Sequence, residues 1–181
     1  SNTHERASDR CAEALLQLEL ASNHRYDIVL MVQGDEPMTH PDMIQEAVLP
    51  LINNPNINVV NLMSVVDSIG ELDDPNCIKV VCDVNGDALY FSRHPIPALS
   101  SNSTAQFSKQ VCVIPFRRDS LIEYVNLSPT PLEVAESIDM LRLLENGRKV
   151  RMIPTNYKTY AVDVPSDLLR VESLMPRGSI K

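Results

Sequence analysis

Apolar and polar positions along the chain follow two alternating periods. Residues 9–21 (DRCAEALLQLELA) place Cys11, Ala14, Leu15 and Leu18 at helical spacing, with Ser8 as the expected N-cap. Residues 27–32 are a short unbroken apolar run ending at Gln33-Gly34. That is the pattern of a strand buried on both faces. Thr39, with Pro41 behind it, opens a helix through MIQEAVLPLI, which Pro50 is expected to end or bend. Residues 58–65 read as a strand and 71–75 as a turn.

Further along, residues 78–82 and 88–92 flank Asn85-Gly86, which predicts a β-hairpin with a type I′ turn. His94-Pro-Ile-Pro97 excludes a helix, and 100–105 reads as a polar loop. Residues 110–116 read as one apolar strand, 119–125 as a short helix, and 132–145 as a longer helix stopped by Asn146-Gly147. Strands are expected at 150–154 and 159–162, then a closing helix from Ser166 or Asp167 to Met175 and a frayed tail at 176–181. Strands alternating with helices predict one α/β layered domain over residues 1–181. Its sheet is expected to be mixed but mostly parallel, with helices on both faces and an inserted β-hairpin.

Charge and composition narrow the function. The formal net charge of −8 argues against nucleic-acid or anionic-membrane partners, which require a basic face. No apolar run is long enough to span a bilayer, and the first 25 residues mix charges without an apolar signal core. A cytoplasmic protein is therefore expected. The four cysteines form no C-x-x-C pair and have no ligand spacing with the four histidines, so they read as buried reduced thiols rather than a zinc site. The five glycines stand singly, which excludes both common phosphate-cradling loops.

Five places carry candidate chemistry. Gln33-Gly34-Asp35-Glu36-Pro37 follows the most apolar strand, and ligands in α/β sheets bind beyond strand carboxyl ends. Gly34 allows a tight turn there, and Asp35 presents a carboxylate suited to Mg²⁺. The alternative is an exposed acidic turn. Asp163 has the same context after residues 159–162, and the alternative there is an ordinary turn before a helix. Arg93 sits between a strand and a rigid Pro-containing segment, which suits a guanidinium fork for carboxylate or phosphate. Arg10, Lys79, Lys109, Arg117, Arg118 and Arg142 are further candidate anion binders, with solvated surface bases as the alternative. Glu133 and Glu136 share one helical face, either functional or a plain acidic surface.

The segments THERASDRCAEAL, VQGDEP, DDPNCIKVVCDVNGDALYFSRHPIP, FRRDSLIEYV, PTPLEVAESIDMLRLLENG and AVDVPSDLLRVE run through nearly the whole chain. In that order they resemble the 3-deoxy-manno-octulosonate (Kdo) cytidylyltransferase family. The sialic-acid cytidylyltransferases share the chemistry but not this set of C-terminal motifs. The resemblance implies a Rossmann-like nucleotide-diphospho-sugar transferase fold. It implies transfer of CMP from CTP to a 2-keto-3-deoxy sugar acid with release of pyrophosphate, for lipopolysaccharide or capsule synthesis. By position it makes Asp35 and Asp163 metal carboxylates, with Mg²⁺ as cofactor. It makes Arg93 catalytic and places Gln33, Arg93, Gln110, Glu133 and Glu136 on the sugar side, with Ser8 and Arg10 near cytidine. A homodimer through the hairpin region is typical of that family.

Some positions depart from the pattern. Arg6-Ala7-Ser8 replaces the family's Ser-Gly-Thr, Gln110 and Cys112 stand in its His-x-Gly-x-Tyr segment, and Phe116 replaces a usual Tyr. These changes suggest a ulosonic acid other than plain Kdo, for example an amino-modified or longer one. The family's N-terminal strand and basic glycine loop have no counterpart here, so this polypeptide is expected to bind CTP poorly without them. A non-catalytic fragment or pseudoenzyme that binds a sugar acid or a partner subunit is the alternative in another functional class.

Overall fold

The structure is a computed structural model that describes residues 6–99, 103 and 105–175. In chain order its elements are α1 (Ala7–Ser22), β1 (Ile28–Val32), α2 (Pro41–Asn53), β2 (Val60–Val65) and α3 (Ile69–Asp73). There follow β3 (Lys79–Cys82), β4 (Ala88–Ser92), β5 (Ser108–Val111), β6 (Val113–Arg117) and α4 (Arg118–Asn126). Last come α5 (Pro131–Glu136), α6 (Asp139–Glu145), β7 (Arg151–Pro154) and α7 (Pro165–Leu174).

The strands form a two-stranded ladder, β1-β6, and a five-stranded sheet in the order β4-β3-β5-β2-β7. The mixed sheet is as expected, but its balance is not. Among the described strands only β2 and β7 pair in parallel, and the other pairings are antiparallel. The cause lies in residues 110–116, which are not one strand. A bend at Cys112 divides the run. β5 pairs antiparallel with β2, and β6 with β1. One apolar stretch thus serves two ladders, which periodicity alone cannot reveal.

Two apolar clusters lie on opposite faces. Met31, Ile114 and Phe116 pack with Ala12 and Leu15 of α1 and Leu121 and Tyr124 of α4. On the other side, Met43 and Ala47 of α2 pack with Leu62, Val111 and Val113. Leu30 and Met31 are neighbours in β1 yet join opposite clusters, as a strand covered on both faces requires. Burying a side chain such as Leu62 or Phe116 completely contributes about 1.5–3 kcal/mol each.

Several local expectations change. Ser8 is not a cap; it lies inside α1, fully buried, and its hydroxyl donates to Asp139 Oδ2 at 2.9 Å. α2 runs through Pro50 for one more turn, to Asn53. Residues 71–75 include the end of α3, whose cap is Ser68 accepting from the Glu71 N–H. The hairpin is present but its turn is not type I′, because Asn85 lacks a positive φ. Asp83 Oδ1 instead accepts from the Asn85 and Asp87 amides, and Gly86 alone takes the left-handed conformation, at φ 82°. The helix expected over 132–145 is two helices, because Ser137 is left-handed at φ 54°. Residues 159–162 form no strand. The polar loop at 100–105 lies partly, and the tail at 176–181 wholly, outside the described residues. No helix among the described residues is long and apolar enough to cross a membrane.

Candidate active site

The loop after β1 is built from two successive turns. Glu36 N–H donates to the Gln33 carbonyl at 3.2 Å, and Thr39 N–H to the Glu36 carbonyl at 3.2 Å. Gly34 is not needed for the bend, since its φ is not in the left-handed range. A Cβ there would meet no protein atom within 4 Å. Its lack of a side chain leaves open space over a shallow depression lined by Ala7, Arg10, Cys11 and residues 30–35.

Asp35 and Asp163 converge. The Val162 N–H donates to the Asp35 carbonyl at 2.9 Å, which lays the segment before α7 along the loop after β1. Asp167 Oδ2 accepts from the Asp163 and Val164 amides at 3.1 and 3.0 Å and so holds Asp163 at the helix entrance. Burial raises the Asp163 pKa, and the nearby carboxylates of Asp35 and Asp167 add to that rise. Asp35 Oδ1 is buried and has no hydrogen-bond partner.

These groups face a cavity of about 560 Å³. Gln33, Asp35, Arg93, Gln110 and Asp163 all line it, while Arg10 lines the adjoining depression together with Gln33 and Asp35. Gln110 is held by its Nε2 donating to Asn61 Oδ1 at 2.5 Å, and buried Asn61 in turn donates to the Leu62 and Val111 carbonyls. The Arg93 fork is not open as expected. Nε donates to the Glu136 carbonyl at 2.5 Å, one terminal nitrogen to Pro75 at 2.8 Å and the other to Ser137 at 3.1 Å. Two of these carbonyls, those of Glu136 and Ser137, belong to the left-handed turn at Ser137.

Ser8, Glu133 and Glu136 do not reach either cavity wall. Fully buried Glu133 takes two bonds from Arg142, at 2.6 and 2.7 Å, which excludes the surface-face alternative for it. Glu136 accepts from Tyr90, Ser92 and the Arg93 N–H, away from Glu133's partners, because the chain turns at Ser137. Ser8 and Glu136 support the wall from behind, Glu136 through its bond from the Arg93 N–H. Ser8 holds Asp139, which does line the cavity.

The sequence motifs did not single out Glu36, Asp139, Tyr160 or Arg170, although all line the cavity. Glu36 is 8% exposed, its Oε2 has no partner, and burial beside Asp35 pushes its pKa up to about 7. Its place inside QGDEP was the available signal. Lys109, named among the bases, is buried and ion-paired with Glu71, and its Nζ lies 5.4 Å from the Tyr160 ring. Arg170 stacks on the same ring at 3.7 Å. No short-range spacing marks that grouping.

The cytidylyltransferase family model matches residues 1–150. A 3-deoxy-manno-octulosonate cytidylyltransferase of Geobacter metallireducens is 38% identical over 99% of this chain and 73% of its own length. The enzyme of the same description from Geobacter sulfurreducens is 40% identical, over 94% of this chain and 70% of its own. The chain belongs to this cytidylyltransferase family. A solved CMP:2-keto-3-deoxy-manno-octonic acid synthetase complexed with CTP superposes with a TM-score of 0.84 at 34% identity, over 96% of this chain and 69% of that one. A putative glucose-1-phosphate thymidylyltransferase from Bacillus anthracis, at 14% identity and a TM-score of 0.57, shares the fold. The protein is thus a nucleotidyltransferase, with the Rossmann-like layered fold that the motifs implied. Among the described residues no group of three His, Cys, Asp or Glu side chains is placed to hold a metal ion.

Proposed function

We propose that this cytidylyltransferase moves CMP from CTP to Kdo or a related ulosonic acid, releasing pyrophosphate. The carrying observation is the convergence of Asp35 and Asp163 on one cavity, with Asp35 Oδ1 buried and unpartnered. A buried carboxylate oxygen without a donor is costly unless something completes it. Two carboxylates with open positions suit Mg²⁺, which binds through one or two carboxylates and takes its remaining ligands from water and phosphates. When bound, the ion would offset charge developing on the α-phosphate during in-line attack by the sugar's anomeric hydroxyl.

The chain's own residues supply position. The depression beside Gly34 and Arg10 suits the nucleotide, and the larger cavity beside Gln33 and Gln110 suits the sugar acid. Arg93 pins the strand end and the α5–α6 corner to the residues before β3, which keeps the far wall in place. Catalysis on this reading is orientation plus electrostatic stabilisation, with no covalent intermediate. A homodimer through the hairpin is supported by Val84 and Leu89, 102% and 62% exposed on it. The cytoplasm is the proposed location, since CTP is made there.

The test is pyrophosphate release with CTP, Mg²⁺ and a panel of ulosonic acids. Release with Kdo or an analogue is expected. No release with any member overturns the assignment, and preference within the panel decides whether Gln110 and Cys112, which line the cavity, mark a modified sugar; Phe116 is fully buried in the core and lines neither cavity, so the expectation for it falls.

A further inference from the structure

Asp35 and Asp163 reach their cavity on two connecting segments, residues 33–40 before α2 and residues 155–164 before α7. Neither segment is a strand or helix, so ladder hydrogen bonds do not set their separation. The Val162–Asp35 backbone bond links them beside the cavity. A second link lies outside it. The His40 imidazole, at the last position before α2, stacks on Tyr157 with centroids 4.6 Å apart and planes 11° from parallel. The Tyr157 hydroxyl donates to Asp42 Oδ2 at 2.5 Å, and the Asp42 N–H donates to His40 Nδ1 at 3.2 Å. The three side chains therefore close a bracket between the start of α2 and the segment that leads to Asp163. His40 and Tyr157 line neither cavity, so a direct role with substrate does not account for the arrangement.

We propose that the His40–Tyr157 stack, anchored through Asp42, is a clamp that sets the approach of Asp35 to Asp163. His40 and Tyr157 are then positioning residues for the metal pair. This inference rests on the reading of Asp35 and Asp163 as metal carboxylates. The physical reason is coordination geometry: Mg²⁺ demands near-ideal octahedral angles, so a site with few protein ligands is sensitive to their spacing.

The test compares Tyr157→Ala and Tyr157→Phe with the parent and with Asp35→Asn. Mn²⁺ alone is the binding probe, titrated by electron paramagnetic resonance. Amide exchange over residues 155–164 in metal-free protein reads the Val162 bond. Tyr157→Ala is expected to weaken Mn²⁺ binding about tenfold and to speed exchange at Val162. Tyr157→Phe keeps the ring and loses the hydroxyl, so a smaller loss of about threefold is expected, with the thermal midpoint near the parent's. If Tyr157→Ala does not fold, the Phe variant decides. Parental Mn²⁺ affinity and parental Val162 exchange in the folded Tyr157 variants, with loss in Asp35→Asn, overturn the clamp alone. Parental affinity in Asp35→Asn overturns the metal reading and the clamp with it.

Discussion

Glu133, in the first turn of α5, and Glu36, in the loop after β1, are both removed from solvent, at 0% and 8% exposure. Their surroundings differ. Both Glu133 oxygens take donors from the buried Arg142, and the Arg6 Nε lies 3.4 Å away. Glu36 has one oxygen without any donor and the like charge of Asp35 beside it. The first carboxylate is completed by the folded chain. The second belongs to a wall that the chain leaves electrostatically incomplete, and such walls are where ligands and ions bind. Burial alone therefore does not separate an architectural acid from a site acid; the partner list does.

The largest effect expected from this contrast is on stability. Glu133→Ala leaves Arg142, 4% exposed, without its carboxylate and should cost about 3–5 kcal/mol in urea denaturation. A loss below about 1 kcal/mol would show that the pair is not architectural. Asp35→Asn should do the reverse. Pyrophosphate release should fall about a hundredfold or more, while the denaturation midpoint stays at or above the parent's because like-charge crowding is relieved. Retained activity would remove Asp35 from the site.

A pH series sharpens the same contrast. In metal-free protein Glu36 keeps its proton up to about pH 7, whereas an unfolded glutamate releases it near 4.5. Between those values the native state binds more protons, so its stability falls as pH rises. Glu36→Gln carries no such proton, and its thermal midpoint should gain on the parent's across that window. A constant difference between the two would break the assignment. The smallest effect is expected from Ser8→Ala, about 1 kcal/mol for the lost bond to Asp139. That loss would be read by denaturation, with the fold retained by circular dichroism.

Much of the architecture was legible. The unbroken run of β1 announced burial on both faces, the hairpin was placed correctly, and the motifs named the family. The errors share a cause. Residues 110–116 look like one strand because apolarity says nothing about which neighbour each half pairs with. The run 132–145 looks like one helix because the left-handed Ser137 is a non-glycine residue whose conformation depends on its setting. Asn85-Gly86 suggested two positive φ values, but the Asp83 carboxylate caps the loop and needs only one.

The site divides in the same way. By themselves, the local patterns determined that Asp35 and Asp163 follow apolar segments, that Gln33 opens the turn carrying Asp35, and that Arg93 follows a strand. Those are properties of short stretches, which hydrophobic period and turn chemistry govern. Only the tertiary structure decided that the two aspartates share a cavity, that Glu133 is an internal ion-pair partner, and that Arg93 ties carbonyls together. These depend on contacts between residues far apart in sequence. Such contacts form where burial, backbone pairing and charge neutralisation are satisfied together.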